Sequence, residues 1–377
     1  MVRQISGDAM NERLLPPISM LAELTHRCPL QCVYCSNPLE LLKADRELST
    51  DAWLALFEEA ADLGVLQVHL SGGEPTVRSD LEQLVGCLTR RGVYTNLITA
   101  GVGIPEGRLE ALQEVGLDHV QLSIQGANAP TTEKIGNHRG AHEKKLETAR
   151  RVVELGLPLT INAPIHRHNI EEVPAFIELA LSVGAERLEI ANVQYGGWAL
   201  LNRNALMPDR AAVERQVEIV EEAQSRLQGV LAIDFVAPDY FAIYPKPCMG
   251  GWARDAFMVA PDGTALPCHA AATISSLHFE RFGEWSLTDI WLDSPAFNAF
   301  RGDEWMLEPC RSCERRDIDW GGCRCQAMAI AGDAAATDPA CVKSPLHSRM
   351  AMLISQANSA PSSSADNFQY RRIGRTW

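Results

Sequence analysis

The chain reads as an α/β protein: an open, partial (β/α)6 barrel of parallel strands with helices outside, followed by a small cysteine-rich domain. Three observations predict this. From Ser19 to Asn192 short apolar runs alternate with longer helical patterns, the order of elements that builds a parallel sheet. The helical patterns end near Gly64, Gly92, Gly116, Gly156 and Gly184, and glycine is where a helix stops most readily. From Pro245 the texture changes to short runs with Gly, Pro and seven cysteines, the mark of a small domain held by ligand bonds more than by its own core.

The strands expected, in order, are Met20–Thr25, Val65–Leu70, Val93–Thr99, His119–Ile124, Pro158–Asn162 and Arg187–Ala191. Helical patterns fall between them at Asp51–Leu63, Asp80–Arg91, Glu143–Leu155 and Val173–Val183. Six units, rather than the eight of a closed barrel, leave the sheet open. Pro208–Gly229 reads as one more amphipathic helix, followed by strand-like Val230–Val236. The divisions are a polar segment at 1–18, the barrel at 19–207, a bridging helix and strand at 208–247, the cysteine-rich domain at 248–346 and a tail at 347–377. Beyond a short helical stretch after His347, the tail with its Ser362-Ser363-Ser364 run is expected to be largely disordered, or ordered only by contact.

The 377 residues are 46% hydrophobic, enough for a large core, and carry a net charge of −14. That charge disfavours a nucleic-acid surface. No apolar run approaches the ~18 residues of a membrane span, and the polar start from Met1 to Pro17 is unlike a signal peptide. A cytoplasmic protein with no membrane or nucleic-acid partner is expected. Eleven cysteines in a reducing compartment then need a reason other than disulfides. Ten of the eleven fall into two groups, which points to metal binding. The remaining one, Cys87, lies inside the apolar pattern Leu81-Leu84-Val85-Leu88 and reads as a buried structural thiol.

The first group, Cys28-x-x-x-Cys32-x-x-Cys35, follows the first strand. An iron–sulfur cube usually takes four thiolates. Three from one tight loop leave the fourth iron open to a ligand, as three-ligand catalytic zinc leaves a position for water or substrate. Polar residues stand at or just after the strand ends: Thr25, Ser71, Thr99, Ser123 with Gln125, Asn162 and Asn192. In barrels of parallel strands that rim is where active sites assemble. Ser71-Gly72-Gly73-Glu74-Pro75 follows the second strand, and its glycines let the backbone approach a ligand closely.

The cysteine trio, with Tyr34 before its last thiol, and the Gly-Gly-Glu-Pro turn together resemble the signatures of the radical S-adenosylmethionine (SAM) enzymes. The resemblance implies a SAM-binding [4Fe–4S] cluster on Cys28, Cys32 and Cys35, with the amino and carboxylate groups of SAM on the open iron. It also implies a SAM site formed by Tyr34, Gly72, Gly73, Glu74 and Pro75, Glu74 helping to hold the cationic amino group, with polar contacts from Ser123 and Gln125. Ser123 and Gln125 read equally well as rim residues that bond each other. Enzymes of this kind cleave SAM to methionine and a 5′-deoxyadenosyl radical, the cofactor carrying the hard chemistry.

The second group runs Cys248, Gly263-x4-Cys268, Cys310-x2-Cys313-x5-Asp319-x3-Cys323-x-Cys325 and Cys341. It resembles the SPASM domain, which carries two auxiliary iron–sulfur clusters in peptide-modifying radical SAM enzymes. By that resemblance Cys248, Cys268, Cys323 and Cys325 hold one cluster, and Cys310, Cys313 and Cys341 hold the other with Asp319 as an oxygen ligand. Asp319 departs from the pattern, which has a cysteine there, and a carboxylate is a harder donor than a thiolate. Two alternatives stay open: Cys-x2-Cys pairs also suit a zinc scaffold, and Asp319 also reads as an ordinary loop aspartate.

Further segments resemble the pyrroloquinoline quinone (PQQ) biosynthesis enzyme E family: Leu21–Leu30, Cys35–Leu39, Leu157–Asn162, His166–Ile170, Ala191–Tyr195, Trp198–Arg203 and Trp320–Gln326. This resemblance implies the precursor peptide PqqA as substrate, with a new bond from a glutamate γ-carbon to the tyrosine ring carbon beside the hydroxyl. It implies the peptide chaperone PqqD and a flavodoxin-like electron donor as partners. Rival readings are another SPASM peptide maturase of the sulfatase-maturing type and a non-catalytic metal-binding peptide scaffold. His69 reads as packed; His166 and His168 follow the fifth strand and could face the site, but a pair of this kind is more often structural or solvated; Tyr195 and Trp198 read as core or as aromatic contacts for a substrate. No residue is assigned to take the ring proton.

Overall fold

The computed structural model describes residues 14–359 and 367–371; expectations for 1–13, 360–366 and 372–377 lie outside the described residues. Successive strands pair in parallel from β1 (Ser19–Glu23) through β2 (Gln67–Ser71), β3 (Tyr94–Thr99), β4 (His119–Ser123), β5 (Leu159–Ile165) and β6 (Arg187–Asn192) to β7 (Ala232–Val236). β8 (Ala256–Val259) pairs in parallel with the other side of β1, and the two-residue β9 (Ala265–Leu266) pairs antiparallel with β8. The order across the sheet is β7-β6-β5-β4-β3-β2-β1-β8-β9.

All six expected strands are present. β2 shows the period-two pattern, with Val68 and Leu70 buried and Gln67, His69 and Ser71 between them partly exposed. β5, in the interior of the sheet, buries every residue except Asn162, as a strand covered on both faces does. β7 sets Ile233 opposite Leu188, so the segment expected to bridge two domains is a further strand of the barrel's own sheet.

Helices α1 (Thr50–Leu63), α2 (Leu81–Arg90), α3 (Arg108–Glu114), α4 (Ala129–Gly136), α5 (Ala141–Glu154) and α6 (Val173–Ser182) fall between the strands. α1 starts where the Ser49 side chain accepts a bond from Ala52 N and ends at Gly64, φ +106°, a cap that favours glycine. Its fully buried Trp53, Leu56 and Phe57 share one apolar cluster with Met20, Val68 and Leu70 of the strands. Each such side chain contributes about 1.5–3 kcal/mol by leaving water.

The cysteine-rich region differs from its expectation. Phe257, Met258 and Val259 of β8, with Trp291 and Phe297, belong to the same buried cluster as the barrel. The region therefore rests on a shared core, because β8 occupies the side of β1 that the open barrel leaves unpaired. The stretch after His347 is helical over His347–Ser359. Residues 367–371 lie against the barrel, where Asn202 Nδ2 donates to Gln369 O at 2.8 Å and Gln369 N donates back to Asn202 Oδ1 at 2.7 Å. Among the described residues no helix is long and apolar enough to cross a membrane.

Candidate active site

β1 ends at Glu23, and the chain leaves the sheet carrying the three cysteines onto the rim. α4 holds this loop: Gln31 N donates to Gly136 O at 2.9 Å and Val33 N to Ile135 O at 3.3 Å. Cys35 N donates to Cys32 O at 3.2 Å, closing a turn, and Cys35 Sγ donates to Asn37 Oδ1 at 3.1 Å. Burial pushes all three thiols up, Cys35 to about 12. Such thiols keep their protons until a metal displaces them.

The glycine turn is fitted against that loop. Gly73 N donates to Thr25 O at 2.5 Å and Glu74 N to Arg27 O at 2.7 Å. A Cβ on Gly72, whose φ is +136°, would meet the Thr25 carbonyl, and one on Gly73 would meet the Arg27 carbonyl. Glu74 is fully buried. Its oxygens accept from Thr76 N at 3.1 Å, Thr76 Oγ1 at 2.7 Å, Thr99 Oγ1 at 2.9 and 3.0 Å, and Ala100 N at 2.6 Å. Burial raises this carboxyl and those bonds oppose the rise. With both oxygens engaged, Glu74 braces the turn against the end of β3. Pro75 is buried at the start of the short turn Pro75–Val77.

Ser123 ends β4, and Gln125 just beyond it is buried. Gln125 Nε2 donates to the Tyr34 hydroxyl at 3.0 Å and to the Ser123 carbonyl at 3.4 Å. Gln125 Oε1 and His166 Nε2 are buried without a partner, and the His166 ring centroid lies 6.0 Å from that of Tyr34. Burial drives His166 down to about 3, so the ring is neutral. Two orphaned polar atoms beside one phenol are what a polar ligand would satisfy.

Two cations that sequence reasoning missed stand close by. Lys145 is fully buried on α5, with Nζ donating to the carbonyls of Ser123 at 2.8 Å and of Ala100. Burial lowers it to about 8, and Cys32, Glu74 and Cys28 pull the other way. A signal existed, since Ala141, Lys145, Ala149 and Val152 form one buried stripe. Arg371 is buried beneath the cysteine loop; nothing local in the polar tail marks it.

The later cysteines assemble into two places. Cys268 Sγ lies 3.6 Å from Cys325 Sγ, and Cys248 and Cys323 are near enough to this pair to perturb one another's thiols. Bonds from Cys248 and Cys325 hold the Cys268 thiol below its ordinary range. Cys310, Cys313, Cys341 and Asp319 line a second, tight pocket. Asp319 is 7% exposed and accepts from Gly321 N at 3.1 Å and Arg315 Nε at 3.2 Å, unlike an ordinary solvated aspartate. Among the described residues no three His, Cys, Asp or Glu side chains are set to hold a single metal ion. Cys87 stands apart in α2, with Sγ donating to Glu58 Oε1 at 3.4 Å.

Residues 22–180 match the model of the radical SAM superfamily, and 248–314 match that of an iron–sulfur cluster-binding domain. A PqqA peptide cyclase from Methylobacterium sp. (strain 4-46) is 58% identical over 366 residues, covering 97% of this chain and 96% of the relative. The chain belongs to the PqqA peptide cyclase family. Another member, from Rhizobium meliloti (strain 1021), is 53% identical over 95% of this chain and 96% of its own. The fold is shared with Streptococcus suis SuiB bound to S-adenosylmethionine, at TM-score 0.72 and 21% identity over 88% of this chain and 77% of that one. It is shared also with anSMEcpe with bound AdoMet, at TM-score 0.61 and 16% identity over 93% and 97%.

As a PqqA peptide cyclase family member the chain is a radical SAM enzyme, with SAM, a [4Fe–4S] cluster and auxiliary iron–sulfur clusters as cofactors. The non-catalytic scaffold and the zinc scaffold are both set aside by that membership. The donor set fits: three thiols in one loop at the rim, unpartnered atoms on Gln125 and His166, and two further thiol-lined places.

Proposed function

We propose that this enzyme acts on the precursor peptide PqqA in PQQ biosynthesis, joining the γ-carbon of a glutamate to the tyrosine ring carbon beside the hydroxyl. The observation that carries this reading is the 58% identity to a PqqA peptide cyclase over 97% of the chain. In this reading Cys28, Cys32 and Cys35 hold the SAM-binding cluster; Cys248, Cys268, Cys323 and Cys325 hold one auxiliary cluster; and Cys310, Cys313, Asp319 and Cys341 hold the other. With SAM and reducing equivalents the bound cluster supplies a 5′-deoxyadenosyl radical, able to take a hydrogen atom from the peptide.

The protein's own part is positioning. Gly72 and Gly73 keep the second loop tight against the first, and Pro75 with Glu74 fixes the turn. Tyr34, Ser123 and Gln125 present polar groups to SAM, and the buried rim excludes water. Of the two hydrogens the peptide would lose, one would end on 5′-deoxyadenosine; the other would leave the ring as a proton, its electron passing to an auxiliary cluster. PqqD would deliver the peptide and a flavodoxin-like protein the electrons, in the cytoplasm, where free thiols persist.

The test is anaerobic incubation of reconstituted enzyme with PqqA, SAM and reductant. The expected product has lost two hydrogens and carries a Glu–Tyr link by fragment mass spectrometry. Cys28→Ala abolishes SAM cleavage. Cys310→Ala loses the linked peptide while SAM cleavage persists. Unchanged peptide from an enzyme that cleaves SAM would overturn the reading.

A further inference from the structure

We infer that Arg371 is a positioning residue for the SAM-cluster loop, gripping the backbone that carries Cys28, Cys32 and Cys35 through a fork of three hydrogen bonds. Nη1 donates to the His26 carbonyl at 3.1 Å, and Nη2 donates to those of Cys28 and Leu30 at 3.0 and 2.7 Å. The residue is 2% exposed. Three carbonyls converging on one planar guanidinium fix the loop in one shape, which a lysine's compact ammonium does not reproduce.

The short segment that carries Arg371 is itself docked. Gln31 Nε2 donates to the Arg371 carbonyl at 2.6 Å. Asn202 Nδ2 is shared between the carbonyls of Gln369 and Val33, both at 2.8 Å, so one amide joins the tail to the loop between Cys32 and Tyr34. The Phe368 ring packs edge-on against His168 with centroids 5.1 Å apart, and the Tyr370 hydroxyl donates to Lys134 O at 3.1 Å.

The charge matters as much as the fork. The Arg371 partners are carbonyls, which leave its positive charge uncancelled in a buried place, and a buried cation asks for an anion. Thiolates that bind iron in place of their protons would be that anion. The inference rests on the trio as cluster ligands and is independent of the peptide substrate.

The test compares full-length reconstituted wild type, Arg371→Gln and Arg371→Lys by hydrogen exchange, with EPR of the reduced enzyme before and after SAM. In Arg371→Gln, exchange in the peptide spanning residues 26–35 speeds up about tenfold or more, since hydrogen bonds from a charged donor are the stronger kind. Exchange in α2 stays unchanged as the control for the fold, and the SAM-induced change in the EPR signal shrinks. Wild-type exchange at 26–35 with a full SAM-induced change overturns the inference. Should α2 also exchange faster, Arg371→Lys decides: faster 26–35 alone supports the fork, and wild-type exchange there overturns it. Failure of the wild type to link PqqA would leave both readouts intact, so the two proposals fail separately.

Discussion

Oε1 of Glu23 lies 3.0 Å from Nδ1 of His269, tying the last residue of the first barrel strand to the residue after Cys268. Glu23 is 2% exposed, and burial by itself would raise its carboxyl. Attraction to His269 and the contact with it, with His26 Nε2 3.7 Å from the other oxygen, outweigh burial and hold it at about 2. Glu23→Gln therefore lowers stability by about 2–4 kcal/mol, read as the urea midpoint of the reconstituted enzyme. In a double-mutant cycle with His269→Gln the coupling is about 1 kcal/mol or more; additive effects would deny that the pair joins the two regions.

Gly73→Ala puts a methyl group against the Arg27 carbonyl. Backbone cannot swing aside as a flexible side chain can, so the two loops separate. About 1–3 kcal/mol of stability is lost, and SAM binding by equilibrium dialysis weakens about tenfold or more. Binding at wild-type strength would show that the contact between the loops does not shape the SAM site.

Asp319 lines the pocket with Cys310, Cys313 and Cys341. Asp319→Ala is expected to lower iron per chain and to change the EPR signal of the auxiliary clusters, while Asp319→Cys retains the iron. A full iron complement and an unchanged spectrum in Asp319→Ala would remove this residue from the ligand set.

His166 sets a dependence on acid. Burial depresses it from 6.5 to about 3. The unfolded chain takes up a proton near pH 6.5 while the folded chain does not until about pH 3. Its contribution is therefore fully present above pH 6.5 and is lost as the pH falls, with a slope approaching about 1.4 kcal/mol per unit for one such group. Urea midpoints at pH 7.5 and 5.5 should differ less in His166→Gln than in the wild type. An equal difference would mean that other groups carry the acid sensitivity.

What the sequence made legible was local. The cysteine trio, the glycine turn and the six strands are each written within a few consecutive residues, where spacing and period-two burial decide the outcome. The bonds of Glu74 to Thr99 and Ala100 were not legible, because those partners sit on another strand end and only the fold brings them to its carboxylate. Lys145 was hidden in plain view on a buried stripe. Arg371 had no such signal: the Gln31–Arg371 bond spans 340 positions of chain, and no periodicity reaches that far.

The pairing of β8 with β1 sets a timetable for synthesis. While the ribosome is still making the first barrel strands, one side of β1 presents bare amide and carbonyl groups with nothing to cover them, an edge open to aggregation. Those groups stay exposed until Ala256–Val259 has left the exit tunnel. A chain cut before Cys248 would keep that edge for good, so the N-terminal portion should precipitate when expressed alone.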